Sequence, residues 1–195
     1  MNHAAANVLI VGVGGQGTLL ASKILGLAAQ LSGLDVKQSE VHGMAQRGGS
    51  VVTYVRFAAK VYSPLVEKGQ ADMILAFEKL EALRWANYLK IGGTLIVNEQ
   101  EILPMPVITG EAKYPGQIFE KLARQDIRVI PVQAVRLAGE IGELRATNVI
   151  LLGVAARLLG FKQEVWQQAI EEAVPAKALP VNLGAFTRGW NLQAV

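Results

Sequence analysis

Residues 8–17 read VLIVGVGGQG, an apolar run that breaks into Gly12-x-Gly14-x-x-Gly17. No other stretch constrains the fold so tightly. An unalternated run of valine, leucine and isoleucine suits a strand buried on both faces. A glycine-dense turn can then pass straight into a helix, because glycine admits backbone conformations closed to other residues. The next residues have helical spacing: Leu20, Ile24, Leu27 and Leu31 form one apolar stripe that stops at Gly33. Residues 34–41 read as a second strand, so residues 7–41 form a β-α-β unit.

The same reading extends along the chain. Residues 50–57 alternate as a strand does, and residues 58–60 make a turn. Val61-Tyr62-Ser63-Pro64 returns as an edge strand that Pro64 ends, giving a hairpin inserted in an otherwise parallel sheet. Residues 72–77 are a further buried strand, 78–89 a helix, and Gly92-Gly93 a turn into a strand at 94–98. The proline-punctuated segment 101–114 carries a short strand at 106–109. A helix at 117–124 and a strand at 127–130, ended by Pro131, follow.

The last third is helical. Residues 132–141 and 148–159 are helices, the second apolar nearly all round and therefore buried under the sheet or at a subunit contact. Val165, Ala169 and Ala173 mark an amphipathic helix that stops at Pro175, and Phe186 and Trp190 stand in an exposed tail. Alternating strands and helices define the class: α/β, a doubly wound, mostly parallel (Rossmann-like) sheet with an inserted hairpin and a helical C-terminal part. The expected organisation is one domain over residues 1–195. Ligands of such sheets sit beyond the carboxyl ends of the strands, where the strand order reverses.

Composition removes several function classes. With 51% hydrophobic and 18% charged residues in 195, the chain can bury a sizeable core. The net charge is only +3 and the basic residues are scattered singly, so no run tracks a phosphate backbone and no nucleic-acid partner is expected. There is no cysteine, which excludes disulfides and cysteine-ligated zinc or iron–sulfur clusters in this chain. MNHAAAN has no positive cluster and is not a signal peptide. The apolar stretch 149–159 contains Arg157 and is too short to span a bilayer, so the expectation is a cytoplasmic protein without membrane contact.

Two loops carry the candidate chemistry. Gly12, Gly14, Gly15, Gln16 and Gly17 spell a dinucleotide-binding fingerprint: Gly12 and Gly14 for a tight turn, Gly17 for helix–strand packing, and a helix N-terminus for a phosphate. Glu40 is the acidic residue that would close the second strand on ribose hydroxyls, and the Gln16 amide is free to bond a polar partner. Against this stands the plainer reading that the glycines only let strand pass to helix. The second loop, SEVHGMAQRGGSV at 39–51, sets Glu40, His42, Gln46 and Arg47 beside Gly48 and Gly49. Arg47 suits a bidentate contact to a carboxylate or phosphate. His42 is the candidate for proton transfer, though taken alone it reads better as a group that caps the backbone. No metal ligands stand out.

Taken together, Gly12-Val13-Gly14-Gly15-Gln16-Gly17 with Ala21-Ser22-Lys23-Ile24-Leu25-Gly26, and then the 39–51 loop, resemble the gamma-type subunits of 2-oxoacid:ferredoxin oxidoreductases. The small subunits of the indolepyruvate (arylpyruvate) branch match best. Tyr62-Ser63-Pro64, Ala71-Asp72, Leu75-Ala76-Phe77-Glu78 and Asn148 before an apolar helix add to the likeness, which runs over residues 8–160.

The resemblance implies one part of a larger oxidoreductase. In such enzymes a 2-oxoacid is decarboxylated on thiamine diphosphate with Mg²⁺, [4Fe–4S] clusters pass electrons to ferredoxin, and coenzyme A takes the acyl group. Thiamine diphosphate and the clusters are expected in a large partner subunit, with this chain binding no cofactor alone and inactive without its partner. The two loops would face that partner's reacting centre, and Arg47 with its glycines would contact the substrate carboxylate or a coenzyme A phosphate. General 2-oxoacid members often carry Y-G-x-E-x-R-G-G where this chain has His42-Gly43-Met44-Ala45-Gln46-Arg47-Gly48-Gly49, a departure that favours arylpyruvates over pyruvate or branched-chain oxoacids. Two rivals stay open: a free-standing NAD(P)- or flavin-binding oxidoreductase, and an assembly module whose glycine loops only pack.

Overall fold

The computed structural model describes residues 5–43 and 49–192. The strands are β1 (Ala6–Val13), β2 (Asp35–His42), β3 (Ser50–Ala58), β4 (Ala71–Ala76), β5 (Leu89–Asn98) and β6 (Arg128–Val132). The helices are α1 (Thr18–Leu31), α2 (Lys79–Trp85), α3 (Met105–Ile108), α4 (Ile118–Ala123), α5 (Ala134–Glu140), α6 (Thr147–Leu159), α7 (Gln163–Ala173) and α8 (Leu179–Trp190). The strands make one sheet in the order β2-β3-β1-β4-β5-β6. β1, β4, β5 and β6 pair in parallel, whereas β3 runs antiparallel to both of its neighbours. This is the mostly parallel α/β sheet that the sequence predicts.

The inserted hairpin is present but is built from different strands. β2 and β3 form it, paired from Asp35↔Ala58 to His42↔Val51, and β3 enters between β2 and β1. The β-α-β unit of residues 7–41 is therefore a crossover that skips one position. Residues 61–64 do not return as a strand. Both hydrogen-bonding edges of β3 are already occupied, so a third strand has no edge to join; instead the Val61 N–H donates to Asp35 Oδ2 at 3.0 Å.

Other differences are local. Pro106 stands in the first turn of the short helix α3 where a strand at 106–109 is expected, since proline suits a first helical turn. β6 continues through Pro131 to Val132, because β6 is an edge strand and its outer side needs no N–H donor. α2 ends at Trp85, and Leu89, the last residue of the expected helix, opens β5 instead.

The sheet is covered on both faces. Val8 and Ile10 of β1 and Met73 and Leu75 of β4 enter the core under α1 and α5–α8. Leu9, Val11, Ile74 and Ala76 enter the opposite core, which includes residues of α2 and α4. Alternate residues thus serve alternate cores, which is why β1 reads as a continuous apolar run. α6 is buried within its own chain, and the tail is not exposed: it folds as α8, with Phe186 fully buried. An added Cβ at Gly153 of α6 would lie 2.4 Å from the Phe186 carbonyl oxygen, and one at Gly189 of α8 only 2.0 Å from that of Ile150. Backbone meets backbone there, a contact only glycine permits.

Candidate functional site

The turn after β1 is held from inside. Gln16 folds back so that its Oε1 accepts from Val13 N at 2.9 Å, while its Nε2 donates to Phe77 O at 3.0 Å and Gln100 Oε1 at 3.1 Å. The amide predicted to await a polar ligand is thus spent on the protein. Asn98 extends this network: its Nδ2 donates to Phe77 O and Gln100 Oε1, and its Oδ1 accepts from Ala134 N. One polar mesh therefore links the carboxyl ends of β1, β4, β5 and β6. Gly12 leaves room for it, since a Cβ there would stand 2.8 Å from Gln16 Oε1.

The left-handed turn positions are Gly15 (φ 99°) and Gly17 (φ 81°). Gly17 does not chiefly let helix pack on strand, as expected. Its close neighbour is Asn148 of α6, whose Nδ2 donates to Gly17 O at 3.1 Å and would lie 2.4 Å from an added Cβ. Gly17 opens α1, and no side chain caps the helix. α6 likewise starts without a cap from its N-cap residue Ala146, although Asn148 Oδ1 accepts from Val149 N at 2.9 Å. Gly17 and Asn148 thereby join two helix N-termini, and both termini carry the positive end of a helix dipole.

Between them lies a cavity of about 460 Å³ lined by Gly15, Gln16, Gly17, Phe77, Gln100, Val135, Leu144, Arg145 and Thr147. It opens beyond the carboxyl ends of the parallel strands, at the β1/β4 boundary where the chain changes winding direction. Arg145 is exposed, and among the described residues its guanidinium makes no ion pair. A cation and two helix N-termini make the cavity suited to a carboxylate or phosphate. Phe77, Gln100, Leu144, Arg145 and Thr147 were not among the site residues expected from the sequence, although Phe77 lies in a stretch that carries the family likeness. The signal available was their place just after strands or just before the apolar helix.

The second loop is only partly described: Gln46, Arg47 and Gly48 lie outside the described residues. Its ends are clear. Gly14 N donates to Gly49 O at 2.9 Å, so the two glycine loops meet. Ser50 donates its hydroxyl to Glu81 of α2, a fully buried carboxylate that also accepts from Arg84 at 2.7 Å and Trp85 Nε1 at 3.3 Å. Burial pushes the Glu81 pKa up, against the downward pull of Ser50, Arg84 and Trp85. His42 ends β2 opposite Val51 and is exposed.

Glu40 does not join the glycine turn. It sits on β2, accepts from Thr53 Oγ1 at 3.2 Å, and is separated from β1 by the whole of β3. Two strand spacings, about 9–10 Å, divide it from β1, where a strand adjacent to β1 would stand at one. The fingerprint's spelling survives without its acidic partner. The chain has no cysteine, and no group of three or more histidine, aspartate or glutamate side chains that could hold an ion occurs among the described residues.

Comparison with known proteins fits this arrangement. Residues 7–192 match the family model described as pyruvate ferredoxin/flavodoxin oxidoreductase. The chain belongs to that oxidoreductase family. An indolepyruvate oxidoreductase subunit IorB of Thermococcus kodakarensis is 44% identical over 188 residues, covering 94% of this chain and 93% of that one. One from Archaeoglobus fulgidus is 42% identical over 189 residues, covering 95% and 94%. The fold recurs in the gamma subunit of a keto/oxoacid ferredoxin oxidoreductase from Geobacter sulfurreducens (TM-score 0.72, 23% identity, 95% and 96% coverage). It recurs also within a 2-oxoglutarate:ferredoxin oxidoreductase from Magnetococcus marinus (TM-score 0.75, 18% identity), where the match covers 95% of this chain and 30% of the longer one. The fold thus occurs both in a separate subunit and as part of a longer chain. Among the described residues no helix is long and apolar enough to cross a membrane.

Proposed function

We propose that this chain is the small subunit of an arylpyruvate:ferredoxin oxidoreductase, acting as one domain and binding no redox cofactor itself. The full-length likeness to subunits named for indolepyruvate supports the substrate class. The geometric observation that carries the reading is the cavity between the N-termini of α1 and α6, with Arg145 at its edge. Its chemistry suits the carboxylate of an oxoacid or a phosphate of coenzyme A.

In this reading thiamine diphosphate, Mg²⁺ and [4Fe–4S] clusters belong to the large subunit, where the carbon chemistry and electron transfer to ferredoxin take place. This chain supplies anion-binding groups: Arg145, the backbone N–H groups of Gly15 and Gly17, and Arg47 from the second loop. His42 stands at the foot of that loop as the candidate for proton exchange. The dinucleotide reading draws no support from the geometry, because Gln16 is internally bonded and Glu40 stands beyond β3.

The test is co-expression with a thiamine- and cluster-bearing large subunit, assaying indolepyruvate- and coenzyme A-dependent reduction of ferredoxin or a viologen dye. The assembled enzyme should turn over and the isolated chain should not. Arg145→Ala and Arg47→Ala should each raise KM for coenzyme A or the oxoacid at least tenfold while largely sparing kcat. Unchanged kinetics in both variants, or nicotinamide binding by the isolated chain, would sink the reading.

A further inference from the structure

The connection from β5 to α4 does not behave as a slack loop. Glu78, fully buried at the start of α2, ties down both ends of it: Oε1 accepts from Ile102 N at 3.2 Å and from the Tyr114 hydroxyl, while Oε2 accepts from Glu81 N at 3.0 Å. Burial and the neighbouring Glu78 push the Tyr114 pKa up, so this phenol stays a donor. Between the two roots the chain is internally bonded, with Val107 N donating to Pro104 O, Thr109 N to Met105 O and Ala112 N to Pro106 O, each at 2.9 Å. Two prolines stiffen it further.

This rooted spur turns its apolar side chains outward. Leu103 is 49% exposed, Met105 66% and Ile108 60%, and α3 buries no residue of its own. A chain that spends a buried carboxylate on fixing such a projection has placed an apolar contact surface. The spur also leaves the sheet at the cavity's edge: Gln100, two residues before Ile102, lines the cavity, and so does Leu144, itself 62% exposed.

Charge selects between occupants. The segment from Glu99 to Lys113 carries Glu99, Glu101 and Glu111 against Lys113, all exposed, in a chain of net charge +3. Glu101 pairs with Lys79 at 2.6 Å, whereas Glu99, Glu111 and Lys113 make no ion pair among the described residues. Two copies meeting through this spur would bring like charges together, so it fits a different chain.

We propose that the 102–109 spur is the docking element for the cofactor-bearing subunit, which receives Leu103, Met105 and Ile108 in an apolar recess bordered by basic side chains and so covers the cavity mouth. This rests on the small-subunit reading above. The test measures binding of the full chain to the co-expressed large subunit. Leu103→Ser/Met105→Ser/Ile108→Ser should weaken it at least tenfold without lowering the melting temperature of the isolated chain. Tyr62→Ser/Ile91→Ser, exposed residues outside the spur, should leave it unchanged. Glu99→Lys/Glu111→Lys should weaken it at low salt and lose that effect at high salt.

Unaltered binding by the triple serine variant overturns the proposal. So does an isolated chain that is a dimer split by the same variant, which would assign the spur to a second copy. A wild-type chain that binds no thiamine-bearing subunit overturns this proposal and the small-subunit reading together. A complex that depends on the spur yet shows no 2-oxoacid turnover overturns the functional reading alone.

Discussion

Gly14 and Gly49 are joined by a backbone hydrogen bond, N to O at 2.9 Å, across 35 residues of sequence. The bond continues the β1–β3 ladder past its last pair, Val13↔Ser50, into the loops themselves. It makes the two glycine-rich segments one structural unit at the carboxyl edge of the sheet. Each loop's position there depends on the other's.

The Gly17–Asn148 contact can be tested by substitution. Gly17→Ala forces a left-handed alanine, a cost of about 1–2 kcal/mol, and drives its Cβ to 2.4 Å from Asn148 Nδ2. Denaturant unfolding should show at least that loss. In Gly17→Ala/Asn148→Ala the clash disappears, so the double variant should lose less than the sum of the two single effects. Strict additivity would mean that the two residues are not coupled.

Gln16→Met keeps the side chain's volume but removes both polar ends. Val13 N and Phe77 O then each lose a partner inside the protein. The expected destabilisation is about 1–3 kcal/mol. Amide exchange at Val13 should quicken in step, whereas unchanged protection there would contradict the internal role of Gln16.

The α6–α8 crossing supplies a matched pair of glycine substitutions. Gly189→Ala places a methyl 2.0 Å from Ile150 O and should cost about 1–3 kcal/mol or more through overpacking. Gly184→Ala, in the same helix, meets nothing within 4 Å. It should stabilise by about 0.5–1 kcal/mol, because glycine is the costlier residue in a helix interior. Thermal melts of the two variants should move in opposite directions.

Acid unfolding should report Asp35. Its carboxyl is held at about 2, down from its ordinary 3.8, first by the Val61 N–H and then by Lys37, with Lys60 at 3.6 Å adding to the pull. A lowered carboxylate pKa contributes stability that is present above the unfolded value and lost as pH falls through the folded one. Between pH 3.8 and 2 the wild type should therefore lose stability more steeply than Asp35→Asn. Equal slopes in a melting series over that range would remove Asp35 from the account.

Much of this molecule was legible from neighbouring residues. The run at 8–13 is a strand because its side chains must be buried on both faces, and the stripe from Leu20 to Leu31 is a helix because its spacing is helical. The glycine turn sits between them, as its spelling requires. Less was legible where distant partners decide. Phe186 and Trp190 look exposed beside Pro180, Gly184 and Gly189, yet they join a ring cluster in which Trp166 stacks on Phe186 at 5.9 Å. Gly189 reads as a helix breaker until Gly153 is placed against it.

The amino-acid sequence by itself determined the α/β class, most of the elements, and a family likeness carried by the two glycine loops. Periodicity, turn chemistry and motif spelling act over a few residues, so they can be read in order along the chain. Only the tertiary structure decided that β3 would slide between β2 and β1, placing Glu40 out of reach of the glycine turn. It alone brought Arg145 and the N-terminus of α6 to the cavity, and spent Gln16 on Val13, Phe77 and Gln100. Those outcomes depend on which strand edges remain open for pairing and on which buried polar groups must be satisfied, conditions that exist only once distant segments have met.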